Sequence, residues 1–410
     1  MDSPKKIRWP RLVTGVVVML FAGIIYAWSI INAPFRQLGM DTSQLGLNFT
    51  LTIVFFCLGG LGSGLISKQT SVRLRLALSA LMLFSSFYIT SILIFTMELT
   101  GDFHLLYMSY GVLGGLGIGM AYNTVITTVN AWFPDKRGLC SGILMMGFGF
   151  SALLIGRLAD YMGQSEAYGW RDTYAAIGIA LGVVLLIAAF LIKPPPPGTV
   201  FPQTKTKAEK KDRPEGETAD LTPLEMIKRP SFIMIFVYVT LLASSGSAAL
   251  SFARDIVLDV GAAESLAVTA VGILGIFNGL GRLTCGFLFD KLGIRKTQFI
   301  SSSTAILAPL TVVGALMFSS LPLGLIGLCL CAFSYGFAPT TLSVFAAEFY
   351  GPKNFPLNFS IFNLVLIPAP FAATLAGSIK TATGEFMIAF LILTACTLVG
   401  FLINIGIRKP

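Results

Sequence analysis

Arg282 stands in a long apolar run, eight positions before Asp290, so about 12 Å of helical rise separates it from the nearer end of that run. An arginine at that depth costs at least about 2.5–3.5 kcal/mol on insertion scales and stays charged, so it is tolerated where it faces a wet cavity or meets an anion. Its planar fork of donors fits a carboxylate bidentately. The competing reading is a permanent ion pair with an intramembrane acid. Asp160, Asp290 and Glu348 all fall near the ends of their runs, so anion binding is the expectation. Asn278 precedes Arg282 by four residues and shares its helix face, where its amide orients the guanidinium, donates to the anion or bonds a neighbouring helix.

Tyr26, Tyr122 and Tyr335 also lie well inside apolar runs. A buried phenol needs a hydrogen-bond partner, and either a polar cavity or a helix interface supplies one. Asn123 and Asn363 carry the same ambiguity. Arg157, with Asp160 three residues on, has the spacing of a local ion pair near a helix end. The single histidine, His104, sits at the start of a run, where interfacial solvation explains it. The six cysteines, at 57, 140, 285, 329, 331 and 396, form no CxxC or Cys/His spacing. We therefore expect no metal, no cofactor and no disulfide framework, and without a nucleophile–base set, no enzyme.

The elements that must position these residues follow from composition. The chain has 410 residues, 55% hydrophobic and 12% charged, with mean hydropathy +0.79, whereas about a quarter of a soluble domain's residues are charged. A soluble enzyme is excluded. A helix needs roughly 20 apolar residues to cross a bilayer, and the apolar runs give twelve spans near 11–34, 44–66, 74–97, 103–131, 138–162, 172–192, 230–252, 265–289, 298–318, 321–347, 354–379 and 384–406. With the N-terminus inside, nearly all loop cations fall on the cytoplasmic side, and Arg36, Arg171, Arg254 and Lys380 are the exceptions. Both termini are then cytoplasmic. The net charge of +9 reflects this topology and not a nucleic-acid surface. Lys5, Lys6 and Arg8 precede a stretch too long for a signal peptide, which reads as a retained first helix. The short loops and the missing targeting peptide fit the cell membrane, as in a bacterial inner membrane.

One hydrophilic segment, 193–229, opens with Pro194 to Pro197 and mixes charges of both signs. It reads as a flexible cytoplasmic tether with a short surface helix near Leu224–Ile227. It divides the chain into an N-terminal six-helix bundle over 1–192 and a C-terminal one over 230–410. The halves echo one another. GFLFDKLGIRK at 286–296 answers GLISKQTSVRLR from Gly64, with Ser67 where Asp290 stands. Trp132 to Gly138 answers Glu348 to Asn354 in the same register.

The stretch 286–296 resembles the major facilitator superfamily loop of Gly, three residues, Asp, a base, one residue, Gly and further bases. A narrower resemblance, to the oxalate:formate antiporter and monocarboxylate transporter branch, rests on Tyr26-Ala27-Trp28 with Asn32-Ala33-Pro34, GVLGGLGIGMAYN at 111–123, WFPDKRGLCSG at 132–142 and Glu225 to Phe232. The resemblance implies an all-α membrane protein of the major facilitator fold, twelve transmembrane helices in two six-helix bundles that rock about a midplane cavity. It implies that Asp290 caps a neighbouring helix, that Lys291, Arg295 and Lys296 complete a gating latch, and that Arg282 holds a substrate carboxylate. Relatives of the monocarboxylate type carry an acid where this chain has Asn278, so a proton relay through that helix is not expected. Oxalate-handling relatives carry a lysine where an ungapped alignment puts Phe362. One cation beside an aromatic wall suits one carboxylate with a short apolar tail and leaves a second charge unpaired.

The expectation is a monomeric secondary active transporter of small organic anions, most simply a short monocarboxylate such as lactate, pyruvate or formate. Symport with a co-transported proton, antiport and facilitated diffusion all remain open. The alternatives are an oxalate:formate-type dicarboxylate/monocarboxylate exchanger and a non-transporting membrane sensor.

Overall fold

The computed structural model describes residues 4–100, 103–196, 198–199, 201 and 220–410; the tether cations Lys205, Lys207, Lys210, Lys211 and Arg213 lie outside these. Among the described residues every regular element is helical, as expected where each backbone polar group must be satisfied within its own segment. Among the described residues, eleven helical runs are long and apolar enough to cross a membrane. They are α1 (Ile7–Gln37), α2 (Gln44–Lys68), α3 (Val72–Thr96), α4 (His104–Asn130), α5 (Arg137–Gly163), α6 (Gly169–Leu191), α7 (Pro230–Asp259), a run over Thr269–Met317, α10 (Leu321–Tyr350), α11 (Phe355–Thr383) and α12 (Met387–Gly406). At 49 residues, the eighth run would be about 74 Å long if straight, more than twice the hydrocarbon thickness. It breaks at Gly293, whose φ of 78° lies in the left-handed region open to a residue without Cβ. The two pieces, α8 (264–292) and α9 (294–317), bring the crossings to twelve.

Local chemistry sets several boundaries. Asp41 caps the helix that becomes α2: its carboxylate accepts from the Gln44 N–H at 2.8 Å while its own N–H donates to Gln44 Oε1 at 3.0 Å. The expected surface helix is present over Pro223–Ile227, with Thr222 and Glu225 forming the same reciprocal cap. Hydrogen bonds from the Thr222 backbone N–H and hydroxyl hold the Glu225 carboxyl below its ordinary range. That cap therefore persists at neutral pH and is lost as pH falls through the lowered value.

Several crossings are irregular in ways that hydropathy does not encode, α7 among them with a kink at Phe252. α1 tightens to a 3-10 turn over Gly23–Ala27, α4 opens with a π-helical stretch over Tyr107–Gly114, and α5 carries another over Ala152–Gly156. In α11 the regular helix lapses over 363–370, which contains Pro368 and Pro370. α10, by contrast, continues through Pro339. The proline there removes a single hydrogen bond, to the Tyr335 carbonyl, and packed transmembrane helices tolerate one such loss.

Two compact units emerge. One holds the chain up to Asp135, the part of α5 from Gly147 onward, α6 and Phe359–Ile361; the other holds Lys136–Met146 and the remaining C-terminal residues. The boundary thus falls inside α5. In the first unit the glycines of α4 let backbones touch: a Cβ on Gly115 would stand 2.6 Å from the Thr52 carbonyl oxygen, and one on Gly119 would overlap the Phe56 carbonyl. In the second, a core of small and branched side chains, Ala248, Ala249, Ile256, Val312, Leu328 and Ala332, packs α7, α9 and α10.

Candidate functional site

Asn278, Arg282, Gly286 and Asp290 recur every four residues on α8, so they share one face. In the second unit this face meets the first half of α5. Arg282 is 2% exposed and ranks among the largest fully buried side chains. Its Nη1 donates to the Met145 carbonyl at 2.7 Å and its Nε donates to Asn278 Oδ1 at 3.3 Å. The guanidinium is therefore enclosed by protein. The Arg282 carbonyl in turn accepts from Thr340 Oγ1 of α10 at 3.3 Å.

Two further contacts hold the α5 segment to α8. A Cβ on Gly142 would sit 2.6 Å from the Arg282 carbonyl oxygen, and Gly138 and Gly286 each face the other's backbone carbonyl. This spacing, Gly138-x-x-x-Gly142, is the small-residue pattern that lets helix backbones meet. At the start of α5, Asp290 Oδ1 accepts from the Gly138 N–H at 2.9 Å and Oδ2 from the Leu139 N–H at 2.7 Å. A carboxylate there satisfies otherwise orphaned N–H groups and meets the positive end of the helix. α10 adds Ser343, paired with Ser141 at 2.8 Å, and Glu348, which accepts from Arg137 at 3.2 Å.

Removing the cap has a measurable expectation. Asp290→Ala should lower the stability of the detergent-purified protein by about 1–2 kcal/mol, read as a drop in the midpoint of thermal unfolding. Asp290→Asn should fall between, because its single amide oxygen replaces a two-oxygen acceptor. An unchanged midpoint in both would mean the cap carries no net weight.

The other residues of the expected latch are less engaged. Lys291, Arg295 and Lys296 are exposed around Gly293, and Lys291 lies 5.5 Å from the Phe287 ring centroid. In the first-half echo, Ser67 donates to the Gly64 carbonyl of its own turn at 2.6 Å, as expected of a short hydroxyl in place of an acid.

The tyrosines divide between the units. In the first, Phe148 of α5 stands edge-on to Tyr26 at 5.4 Å and to Tyr122 at 5.1 Å between ring centroids. Phe56 packs edge-on to Tyr122 at 5.2 Å, and Phe359 stacks on Tyr122 at 6.0 Å. Asn123 is fully buried and donates to the Gly60 carbonyl at 2.6 Å, so its amide ties α4 to α2. In the second, Tyr335 is half-buried on α10 with its Cβ against Gly246 of α7. Phe362 is fully buried between Phe232 and Tyr350, at 5.0 and 5.7 Å; these ring partners come from the start of α7 and the end of α10.

The local pair expected at the end of α5 does not form. Asp160 accepts from Gln164 Nε2 at 2.6 Å, one turn further on, and Arg157 is exposed; a long exposed side chain gains little by ordering for a solvent-screened partner. Sequence reasoning also passed over Met145 and Phe148. Met145 acts through its main-chain carbonyl, which leaves no side-chain signal, whereas Phe148 was one aromatic among 33 phenylalanines. The Gly138/Gly142 spacing was the available sign that α5 makes a close helix contact. Among the described residues no three His, Cys, Asp or Glu side chains cluster as metal ligands.

Residues 12–374 match the family model described as Major Facilitator Superfamily. The chain is 26% identical over 357 residues to the oxalate:formate antiporter of Oxalobacter formigenes, covering 85% of this chain and 80% of that protein. It is 23% identical over 373 residues to human monocarboxylate transporter 12, covering 83% and 68%. Among solved structures, the Escherichia coli fucose:proton symporter superposes with a TM-score of 0.71 at 16% identity, over 98% of this chain and 99% of that one, a likeness of fold.

Proposed function

The chain belongs to the major facilitator superfamily, and from that premise we propose that it moves small organic anions across a cell membrane by alternating access, with Arg282 as the residue that takes the substrate carboxylate. The observation that carries this reading is the guanidinium of Arg282, 2% exposed, with Nη1 resting on a neutral main-chain carbonyl, that of Met145. A carboxylate carries a full negative charge and two oxygens that meet both arms of the guanidinium fork, which a single neutral amide carbonyl cannot. An arriving anion therefore displaces Met145 from Arg282. Asn278, one turn below, keeps the guanidinium plane oriented during the exchange.

Loss of the Met145 contact loosens the inner end of the α5 segment while Asp290 still holds its start. In this proposal, that exchange couples binding to movement, Asp290 with Lys291, Arg295 and Lys296 forms the gate, and the moving bodies are 1–192 and 230–410 joined by the 193–229 tether. Tyr26, Tyr122, Tyr335 and Asn123 complete the substrate surroundings, and both termini are cytoplasmic.

A short monocarboxylate such as lactate, pyruvate or formate is the favoured cargo. The ungapped alignment puts Phe362 at the position of the lysine of oxalate-handling relatives, and an aromatic ring, here packed by Phe232 and Tyr350, supplies no second cation for a dicarboxylate. The second reading, oxalate:formate-type exchange, draws support from the 26% identity to an antiporter of that name. Purified protein in liposomes, given labelled lactate, formate and oxalate with and without a pH gradient, separates the two. Uptake of lactate or formate that oxalate neither inhibits nor drives by counterflow is the expected result. Oxalate counterflow establishes the second reading, and no flux of any of the three removes the proposal. A rate that follows an inward proton gradient marks symport, since with no acid at position 278 the proton enters with the carboxylate.

A further inference from the structure

A second arginine is buried without any role in the anion site. Arg75 of α3 is 5% exposed, and its Nε and Nη1 are enclosed with no hydrogen-bond partner. It lies three residues past Val72, the first residue of the span, so about 4.5 Å along the helix. Its helix face is the packed one: Ser79, one turn on, donates to the Gly117 carbonyl of α4 at 2.6 Å.

A guanidinium does not neutralise itself as lysine can, and an enclosed charge with two open donors is costly unless something fills them. Helical side chains lean toward the N-terminus of their own helix, so Arg75 leans toward the start of α3. The first-turn N–H groups lack helical acceptors there and the helix dipole is positive; one of them, of Leu74, is taken by Ser71 Oγ at 3.2 Å. The surrounding field is positive as well. Lys68 is exposed just before the span, and Arg73, on another face, lies 4.9 Å from the Phe190 ring of α6. The geometry calls for a compact oxyanion at the membrane boundary, where phospholipid phosphates reside. Headgroup phosphates are concentrated at that level.

We propose that Arg75 and the start of α3 bind the phosphate of an anionic phospholipid headgroup at the end of the molecule that carries the basic loops. Basic pockets between transmembrane helices take such headgroups on that side. The site is independent of the transport reading: it uses no residue assigned to substrate, and its failure would leave Arg282 untouched.

The test is native mass spectrometry of the detergent-purified protein after exchange into phosphatidylglycerol or phosphatidylcholine, beside thermal unfolding with each lipid and with inorganic phosphate in lipid-free detergent. Wild-type protein should retain a phosphatidylglycerol adduct and unfold at higher temperature with that lipid than with phosphatidylcholine. Arg75→Gln should reduce adduct occupancy about ten-fold, the loss of one charge-assisted contact. Arg36→Gln, which removes an exposed arginine elsewhere, should retain it. Should Arg75→Gln fail to fold, Arg75→Lys serves, with an intermediate loss expected because a point charge replaces a fork. Equal adducts in wild type and in the Arg75 variants would overturn the proposal, as would absence of the adduct from wild type. Stabilisation by inorganic phosphate alone, with none from phosphatidylglycerol, would overturn the lipid and reassign the site to free phosphate.

Discussion

Arg282→Gln should reduce the initial rate of monocarboxylate uptake by proteoliposomes roughly a hundred-fold. Truncating one member of a buried, hydrogen-bonded charge pair costs about 2–5 kcal/mol, and here the other member is the substrate itself, left in a desolvated site without its cation. Glutamine keeps a donor but loses the charge and the second arm of the fork. Arg282→Lys should retain partial activity, because the ammonium supplies charge without bidentate geometry. The variant protein should remain foldable, since the Met145 carbonyl that Nη1 now occupies is a neutral group inside a continuous helix. Uptake in Arg282→Gln at the wild-type rate, in protein that elutes as a single species, would remove the assignment of the carboxylate to this residue.

Gly142→Val should separate binding from movement. The new Cβ would stand 2.6 Å from the Arg282 carbonyl oxygen and 3.2 Å from the Leu283 Cα. Both neighbours are backbone, so no side chain can swing aside, and the two helices must part. Overpacking of this kind costs about 1–3 kcal/mol, which corresponds to a fall in uptake of about five- to a hundred-fold if docking of the α5 segment is part of the cycle. Met145 lies three residues further along the same segment, and the shift carries its carbonyl away from Nη1. The anion then no longer competes with an internal acceptor, so its dissociation constant should stay constant or tighten while transport falls. Gly142→Ala should show the same split at smaller amplitude. Equilibrium binding measured by quenching of intrinsic fluorescence, beside liposome uptake, reads both quantities. A parallel loss of affinity and rate would mean that the Met145 contact supports the anion site and does not compete with it.

The contrast between these variants bears on what the residues themselves announce. Arg282 and Asn278 were legible because their relation is local: four residues on one helix fix their proximity before any tertiary contact exists. Asp290 was legible through a motif, whereas the N–H groups it accepts from, those of Gly138 and Leu139, are supplied by a distant segment. The Met145 acceptor on Arg282 was not legible. Met145 is 137 positions away, contributes a main-chain atom that every residue type possesses, and is brought into reach by two helices crossing at glycines. Phe148, between Tyr26 and Tyr122, was hidden for a related reason: in an apolar run every aromatic side chain satisfies the same transfer energetics, and only packing distinguishes one from another.

Composition and periodicity by themselves determined the membrane-spanning character, the twelve crossings and the place of the charged residues along them. These follow from the cost of exposing polar backbone and charge to hydrocarbon, a cost that each segment meets separately. Tertiary structure decided which partner each interior polar group took, where α1, α4, α5, α7 and α11 depart from regular helix, and the placing of the unit boundary within α5. Those outcomes depend on the close approach of segments far apart in the chain, and hydropathy carries no information about which helix faces which.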